Sequence, residues 1–169
     1  MADEFIEIGP DELPDNPFKV IGSQWMLVTA GTARSFNTMT ASWGGFGIMW
    51  AKKICTCVVR PTRHTYGFME KSDMFSLSFF SPDYKKTLLF CGTHSGADTD
   101  KMAATGLTPL EDTGTVYFKE ARLVLLCRKI YYHDIDPGHF IDPSIESNYP
   151  LKDYHRMYLG DIVKCITKK

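Results

Sequence analysis

The sequence predicts a mainly β protein, an antiparallel β-barrel with a few short flanking helices. Runs rich in β-branched and aromatic residues outnumber segments with helical spacing, and the helical segments are short. Strands and helices do not alternate regularly along the chain, which disfavours a doubly wound parallel sheet. An antiparallel barrel with helices at its ends is the architecture that this order of elements favours.

Each predicted strand is a short run of β-formers that stops at a glycine, a proline or a polar cluster. The predicted strands are residues 24–30, 42–50, 53–60, 74–80, 116–120, 123–132 and 157–166. Three glycines lie among the aromatics of residues 42–50, which indicates a bulge or a backbone close to something flat. Residues 1–20 contain three prolines, so we expect an irregular N-terminal segment there.

Three short helices are expected between these strands. Pro61 ends one strand, and residues 62–71 then show helical spacing. Ser81-Pro82-Asp83 is a typical helix start, and that helix should end near Cys91. Residues 101–104 form a short helix that stops at Gly106. No repeat, low-complexity tract or linker divides the chain, so we expect residues 1–169 to form a single domain.

Composition excludes several classes of function. With 19 basic and 20 acidic residues the formal net charge is -1, so no basic excess drives nucleic-acid binding. The acidic N-terminus lacks the features of a signal peptide, and no apolar run approaches the roughly 20 residues that span a bilayer. The five cysteines are scattered, which predicts reduced, mostly buried thiols and a cytoplasmic location. No spacing of cysteines, histidines or acids fits a metal site.

Two polar stretches are candidates for a binding site. Asn37-Thr38-Met39-Thr40-Ala41-Ser42-Trp43 lies between predicted strands and offers hydroxyls, an amide and backbone N–H groups to an anion or a heterocycle. The alternative is a surface turn. Arg60-Pro61-Thr62-Arg63-His64-Thr65 places two arginines at the start of a helix, where phosphate is favoured. The alternative is an ordinary solvated helix start.

Two further stretches carry less specific signals. Residues 91–101 contain Gly92 and Gly96, and His94 and Lys101 from this loop could lie over a ligand. The alternative is a mobile surface loop. His155, just before the last strand, could donate a proton or a hydrogen bond near neutral pH, although a lone histidine is more often structural. No G-x-G-x-x-G fingerprint, Walker A loop or G-x-S-x-G elbow occurs.

Taken together, these stretches resemble the flavin reductase-like family of split-barrel FMN-binding proteins, which includes flavoredoxin-type members. The similar motifs are residues 37–45, 59–66, 75–80, 91–101 and 155–163, in the expected order between about residues 20 and 166. The resemblance implies a split β-barrel and a homodimer with FMN near the subunit interface. Two positions depart from the family's pattern, where His64 replaces an expected tyrosine and His94 an expected lysine.

The resemblance also implies which residues contact FMN. They are Asn37, Thr38, Met39, Thr40, Ala41, Ser42, Trp43, Val59, Arg60, Pro61, Arg63, His64, Thr65, Cys91, Gly92, Thr93, His94, Ser95 and Lys101. Residues 37–43 should follow the isoalloxazine and ribityl chain, while Arg60, Arg63 and Thr65 approach the phosphate or ring edge. The 91–101 loop should close over the flavin, with Ser95 and Lys101 near the phosphate. His155 should lie at the open face as the candidate catalytic residue.

Three functions are compatible with this resemblance. The first is an NAD(P)H-dependent flavin reductase, in which a transiently bound nicotinamide passes hydride to flavin N5. The second is a flavoredoxin-type electron carrier, in which FMN is a prosthetic group served by a redox protein partner. The third is a non-redox binding module that uses the same barrel.

Overall fold

The computed structural model describes residues 4–169, and ten strands lie within them. Strands β1 to β10 are Phe5–Ile8, Met26–Thr32, Ser35–Ala41, Gly44–Met49, Lys52–Val59, Met74–Phe79, Pro109–Asp112, Thr115–Phe118, Leu123–Asp134 and Arg156–Lys168. Helices α1 to α4 are Pro17–Val20, His64–Lys71, Lys85–Thr93 and Lys101–Thr105. Short 3-10 turns cover Pro10–Glu12, Pro82–Tyr84, Pro137–His139 and Pro143–Asn148.

Eight of these strands form one sheet in the order β3-β2-β6-β9-β10-β5-β4, with β1 added to β10. Every pairing in it is antiparallel. Strands β7 and β8 form a separate hairpin. The long β10 pairs with β9 along most of its length, with β5 at its start and with β1 at its end. The predicted fold class, a mainly β antiparallel barrel with short flanking helices, is confirmed.

The connection between β3 and β4 closes the sheet into a barrel. These strands lie at opposite ends of the strand order, yet only Ser42 and Trp43 separate them along the chain. Three peptide links from Ala41 to Gly44 reach at most about 11 Å. The two end strands must therefore meet at this point, although they are not hydrogen-bonded to each other. The barrel is split along this line.

Several strands are buried on both faces, which gives two hydrophobic clusters. Along β2, Met26 and Val28 belong to the cluster inside the barrel, while Leu27 faces the outer cluster under α3 and the β7–β8 hairpin. Along β9, Leu125 and Leu126 alternate in the same way. This alternation follows from the two-residue period of a strand. All five cysteines are buried and free, in agreement with the sequence-based prediction.

The structure differs from the sequence-based prediction in three places. The segment 1–20 is not wholly irregular, because Phe5–Ile8 pairs with the end of β10 and Pro17–Val20 forms a helical turn. The polar stretch 37–43 does not lie between strands, since Ser35–Ala41 is itself a strand that pairs residue for residue with Met26–Thr32. Pro109–Asp112 was not expected as a strand, and it pairs with Thr115–Phe118.

Two absences concern residues 4–169 only. No helix in this range is long and apolar enough to cross a membrane. The same residues contain no group of three or more histidine, cysteine, aspartate or glutamate side chains that could hold a metal ion.

Gly160 is a point where the barrel tolerates no side chain. It lies at an irregularity in the β9–β10 register, and a Cβ there would be 2.6 Å from Phe75 Cζ and 2.8 Å from Cys127 Cβ. We predict that Gly160→Ala lowers the free energy of unfolding by about 1–3 kcal/mol, because both neighbours belong to the barrel core. Urea denaturation measures this change.

The matched control is Gly47→Ala in β4, where a Cβ would have no atom within 4 Å. This variant should stay within about 0.5 kcal/mol of the wild type. Equal stability of the two variants would show that the contact at Gly160 is relieved at no cost.

Candidate functional site

A cleft follows the length of β3, on the line where the barrel is split. It consists of two adjoining cavities of about 220 Å³ and 170 Å³ that share Met39 and Arg63. We call the first the Trp43 cavity. Its lining residues are Met39, Thr40, Ala41, Ser42, Trp43, Val58, Arg60, Arg63 and His155. We call the second the Lys101 cavity. Its lining residues are Asn37, Met39, Thr62, Arg63, His64, Thr65, Thr93, His94, Ser95, Gly96 and Lys101.

Strand β3 is polar yet buried because its side chains are hydrogen-bonded. The Asn37 amide Nδ2 donates to Thr65 Oγ1 over 2.7 Å, which joins β3 to the first turn of α2. The Thr38 and Thr29 hydroxyls are 2.8 Å apart across the strand pair. The Thr40 hydroxyl donates to the Leu88 carbonyl of α3. These bonds satisfy groups whose burial would otherwise cost free energy, and they fix the floor of the cleft.

The Lys101 ammonium is buried at one end of the cleft. The residue is only 5% exposed, and Nζ donates to the Thr38 carbonyl over 2.7 Å and to the Cys91 carbonyl over 2.9 Å. Burial lowers the pKa of Lys101 to about 8, and the nearby Arg63 charge adds to this effect while Cys91 opposes it. The ammonium is thus held by neutral oxygens in a place where a negative charge would stabilise it.

Arg63 is the second cation of the cleft and directly precedes α2. Its Nη1 donates to the Gly92 carbonyl over 2.9 Å, and burial together with the Arg60 charge lowers its pKa. Within residues 4–169, neither Arg63 nor Lys101 forms an ion pair with a carboxylate. Arg63 is the N-cap residue of α2, and in the described part of the chain its side chain forms no capping hydrogen bond with that helix. Two uncompensated cations beside free N–H groups favour an anionic ligand group.

Arg60, by contrast, is held by the protein itself. Its guanidinium binds the Asp153 carboxylate over 2.7 Å and the Asn148 carbonyl over 2.8 Å, and it lies 4.9 Å from the centre of the Tyr149 ring. Sequence reasoning missed Asp153, Asn148 and Tyr149. They come from the β9–β10 loop, far from Arg60 along the chain, and no local pattern in that loop signals the contact.

His155 lies at the other end of the cleft, in the wall of the Trp43 cavity. It is 8% exposed, and its Nδ1 is 2.8 Å from the Tyr149 hydroxyl. Its ring centre is 5.2 Å from that of Trp43. Burial lowers the pKa of His155 to about 4, and the Arg60 charge adds to this effect while Asp153 opposes it. The imidazole is therefore neutral at pH 7.

The 94–100 loop lies directly on β3. A Cβ at Gly96 would be 1.9 Å from Asn37 Oδ1, so only glycine allows the backbone to approach so closely. His94 turns back onto α3, where its ring stacks on Phe90 at 3.9 Å. The Ser95 hydroxyl accepts the Ala97 amide over 3.2 Å.

The structure brings most of the predicted site residues together in this cleft. Those that line it are Asn37, Met39, Thr40, Ala41, Ser42, Trp43, Arg60, Arg63, His64, Thr65, Thr93, His94, Ser95, Lys101 and His155. Thr38 borders an adjoining cavity, and Pro61 is exposed beside the cleft. The Val59 side chain is in the barrel core, and its neighbour Val58 lines the cleft instead, as strand alternation requires. Cys91 and Gly92 contribute their carbonyls.

Comparison with known proteins identifies the family. Residues 18–169 match the family model of the flavin reductase like domain. The chain belongs to the flavin reductase-like domain family. The resemblance inferred from the five sequence motifs is thereby confirmed. No curated protein matches this flavin reductase-like chain.

Solved structures share its split-barrel fold. An FMN-binding protein from Thermus thermophilus with bound 1-cyclohex-2-enone is 21% identical at a TM-score of 0.67, with 94% of this chain and 76% of that chain covered. The flavoredoxin of Desulfovibrio vulgaris (Miyazaki F) is 22% identical at a TM-score of 0.66, and the match covers 86% of this chain and 69% of that chain. An NADH:FAD oxidoreductase from Streptomyces globisporus C-1027 is 14% identical at a TM-score of 0.64, and the match covers 86% of this chain and 81% of that chain. At these identities the likeness concerns the fold.

The buried Lys101 charge makes stability depend on pH. The pKa of Lys101 falls from 10.5 to about 8 on folding, so the unfolded chain binds this proton more tightly than the folded chain does. Stability from this group is therefore complete above pH 10.5 and is lost as pH falls through 8. We predict that the difference in unfolding free energy between wild type and Lys101→Met changes in the wild type's favour between about pH 8 and pH 10.

Buried cysteines and tyrosines that Lys101 does not influence contribute equally in both proteins, so the difference removes their effect, which makes stability fall as pH rises. Cys91 is the exception, because the Lys101 charge lowers its pKa. Lys86→Met, which removes a lysine at an exposed position of α3, is the control for the loss of one positive charge. A difference for Lys101→Met that does not vary with pH would contradict a lowered pKa at Lys101.

Proposed function

We propose that this protein binds FMN in the cleft along β3 and acts as an oxidoreductase that takes reducing equivalents from NAD(P)H. The observation that carries the proposal is the pair Arg63 and Lys101. Lys101 is buried and Arg63 half-buried, and neither has a carboxylate partner within residues 4–169. Both line the Lys101 cavity, and Arg63 also borders the Trp43 cavity. A ligand with a phosphate at one end and a planar ring system at the other matches this distribution of charge.

The Lys101 cavity fits the phosphate. Arginine presents a planar fork of donors that matches phosphate oxygens, and the uncapped start of α2 adds backbone N–H groups. The ammonium of Lys101 can exchange a carbonyl partner for a phosphate oxygen, which would return its pKa toward the ordinary value. Asn37 and Thr65 hold each other and keep the floor of this cavity rigid.

The Trp43 cavity fits the ring system. Its floor is β3 backbone with the small side chains of Thr40, Ala41 and Ser42, and Trp43 supplies an aromatic wall. When bound, FMN supplies the redox chemistry, since it accepts hydride at N5 and passes electrons on. The chain positions this ligand and excludes water from one face. Arg63, between the two cavities, favours negative charge on the ligand.

We also propose that residues 1–169 act as one domain and that two copies form a homodimer. The β4–β5 hairpin exposes Ile48 (71%) and Trp50 (60%), and Tyr131 of β9 packs edge-on against Trp50. An exposed apolar patch of this kind is typical of an interaction surface. Light scattering coupled to size-exclusion chromatography measures the mass in solution, and a monomer at every concentration would exclude the dimer.

The phosphate contact can be tested by comparing FMN with riboflavin, which lacks the phosphate. We predict that Arg63→Gln weakens FMN binding about 10- to 100-fold, since it removes charge-assisted hydrogen bonds to an anion. Riboflavin binding should change by less than about threefold in the same variant, because no phosphate contact is lost. Fluorescence quenching of each flavin on titration gives both dissociation constants.

Arg34→Gln is the matched control, since Arg34 is an exposed arginine in the turn between β2 and β3 and its replacement makes the same change in net charge. It should bind both flavins as the wild type does. If Arg63→Gln weakens riboflavin as much as FMN, the phosphate does not lie at Arg63.

The reaction can be tested by rapid mixing of the FMN-loaded protein with NADH and with NADPH under anaerobic conditions. We predict that at least one of the two nucleotides bleaches the flavin absorbance at about 450 nm. No bleaching with either, together with fast reduction by a ferredoxin-type protein, would select the electron carrier. Two proteins of similar fold are flavoredoxins, which is why this second function is kept. Protein that is colourless and takes up no FMN would exclude both.

A further inference from the structure

The β9–β10 loop holds an aromatic cluster behind His155 that the flavin proposal does not use. Tyr149 is 3% exposed, and its ring is stacked on Phe140 at 6.1 Å and packed against Tyr154 at 4.9 Å. The Arg60 guanidinium lies over the same ring. The loop is fixed at its ends, because Arg60 binds Asp153 and the Ile135 amide donates to the His155 carbonyl. The Tyr149 hydroxyl is therefore held in one position.

That hydroxyl has a single partner within residues 4–169, the Nδ1 atom of His155. The other ring nitrogen, Nε2, has no partner in the same range and is not a buried atom. Because His155 lines the Trp43 cavity while Tyr149 does not, Nε2 is the nitrogen left for a ligand in the cleft. The two nitrogens of His155 therefore differ in their surroundings: Nδ1 contacts Tyr149, and Nε2 is left for the cleft.

The direction of the Tyr149–His155 hydrogen bond decides where the proton of the imidazole lies. Burial raises the pKa of Tyr149, so its hydroxyl keeps its proton and can donate. If Nδ1 carried the imidazole proton and donated to Tyr149, the tyrosine proton would have no acceptor within residues 4–169. If Tyr149 donates to Nδ1, both groups are satisfied and the imidazole proton is on Nε2.

We propose that Tyr149 is a positioning residue that holds His155 as a neutral imidazole with its N–H at Nε2, aimed into the Trp43 cavity. His155 then offers a hydrogen-bond donor without a charge, which suits an uncharged acceptor such as a carbonyl oxygen of a heterocycle or a carboxamide. The charges around His155 agree with this, because Arg60 is paired with Asp153 and Arg63 donates toward Gly92. Lys101 lines only the Lys101 cavity and the neutral donor His155 only the Trp43 cavity, while Arg63 lies between them.

The inference about the ligand rests on the proposed flavin function, but the state of the His155 ring does not. It can be measured by NMR on the full chain with 15N-labelled histidine rings and no flavin added. His155→Gln identifies the His155 signals by their loss among the five histidines. We expect the Nε2–H form to dominate from neutral pH down to the pKa of about 4. A dominant Nδ1–H form, or a charged ring at neutral pH, would overturn the proposal.

Tyr149→Phe removes only the hydroxyl and keeps the ring in the aromatic cluster. Loss of one hydrogen bond of about 1 kcal/mol should reduce the ratio of the Nε2–H to the Nδ1–H form about fivefold. The pKa of His155 should rise, because nothing then stabilises the free lone pair on Nδ1. Tyr154→Phe is the matched control, since its hydroxyl donates to Glu146 over 2.6 Å and not to His155. It should leave the ring unchanged.

Equal ring signals in wild type and Tyr149→Phe would overturn the role of Tyr149. If Tyr149→Phe does not fold, the wild-type measurement still decides the tautomer. FMN titration of the same samples reports the proposed function separately. A chain that binds no FMN but shows the expected tautomer would retain the positioning role and lose the flavin proposal.

Discussion

The two-residue connection between β3 and β4 is the constraint on which the rest of the structure depends. Ser42 and Trp43 join the two end strands of a long antiparallel sheet, so the sheet must curl until its ends meet. The end strands meet without pairing, and the unpaired seam becomes a cleft. Strand β5, helix α2 and the β9–β10 loop then supply the walls of the cleft. The path of the chain, rather than any single contact, creates the space for a ligand.

The buried positive charges in the cleft lower the stability of the protein when no ligand is bound. Lys101 is buried and Arg63 half-buried with only carbonyl partners, an arrangement that disfavours their charged forms. A structure selected for stability alone would place carboxylates beside them or expose them. Arg60 shows the alternative, since it is paired with Asp153 and belongs to the scaffold. The contrast between these arginines separates ligand-facing cations from structural ones.

The sequence predicted the fold class and most strands because β-branched and aromatic residues are concentrated where both faces of the sheet are buried. It failed at β3, whose polar residues look like a turn. Their burial depends on hydrogen-bond partners, Thr29 on the paired strand β2 and Thr65, which is 28 residues from Asn37 along the chain. The motifs that resemble the family located most of the cleft. Asp153 and Tyr149 could not be predicted from the sequence. They contact Arg60, which follows β5, and the β9–β10 loop that carries them is far from β5 along the chain.

The position of β10 as the last strand in the sequence affects how the chain folds during its synthesis. It pairs with β1, β5 and β9, all of which precede it in the chain. While the ribosome is still adding residues 156–168, the edges of β5 and β9 lack their common neighbour and expose unpaired backbone. Completion of the barrel must therefore wait until this segment has left the ribosome. Throughout that interval the open edges of the nascent chain are free to pair with strands of other chains, which is a route to misassembly.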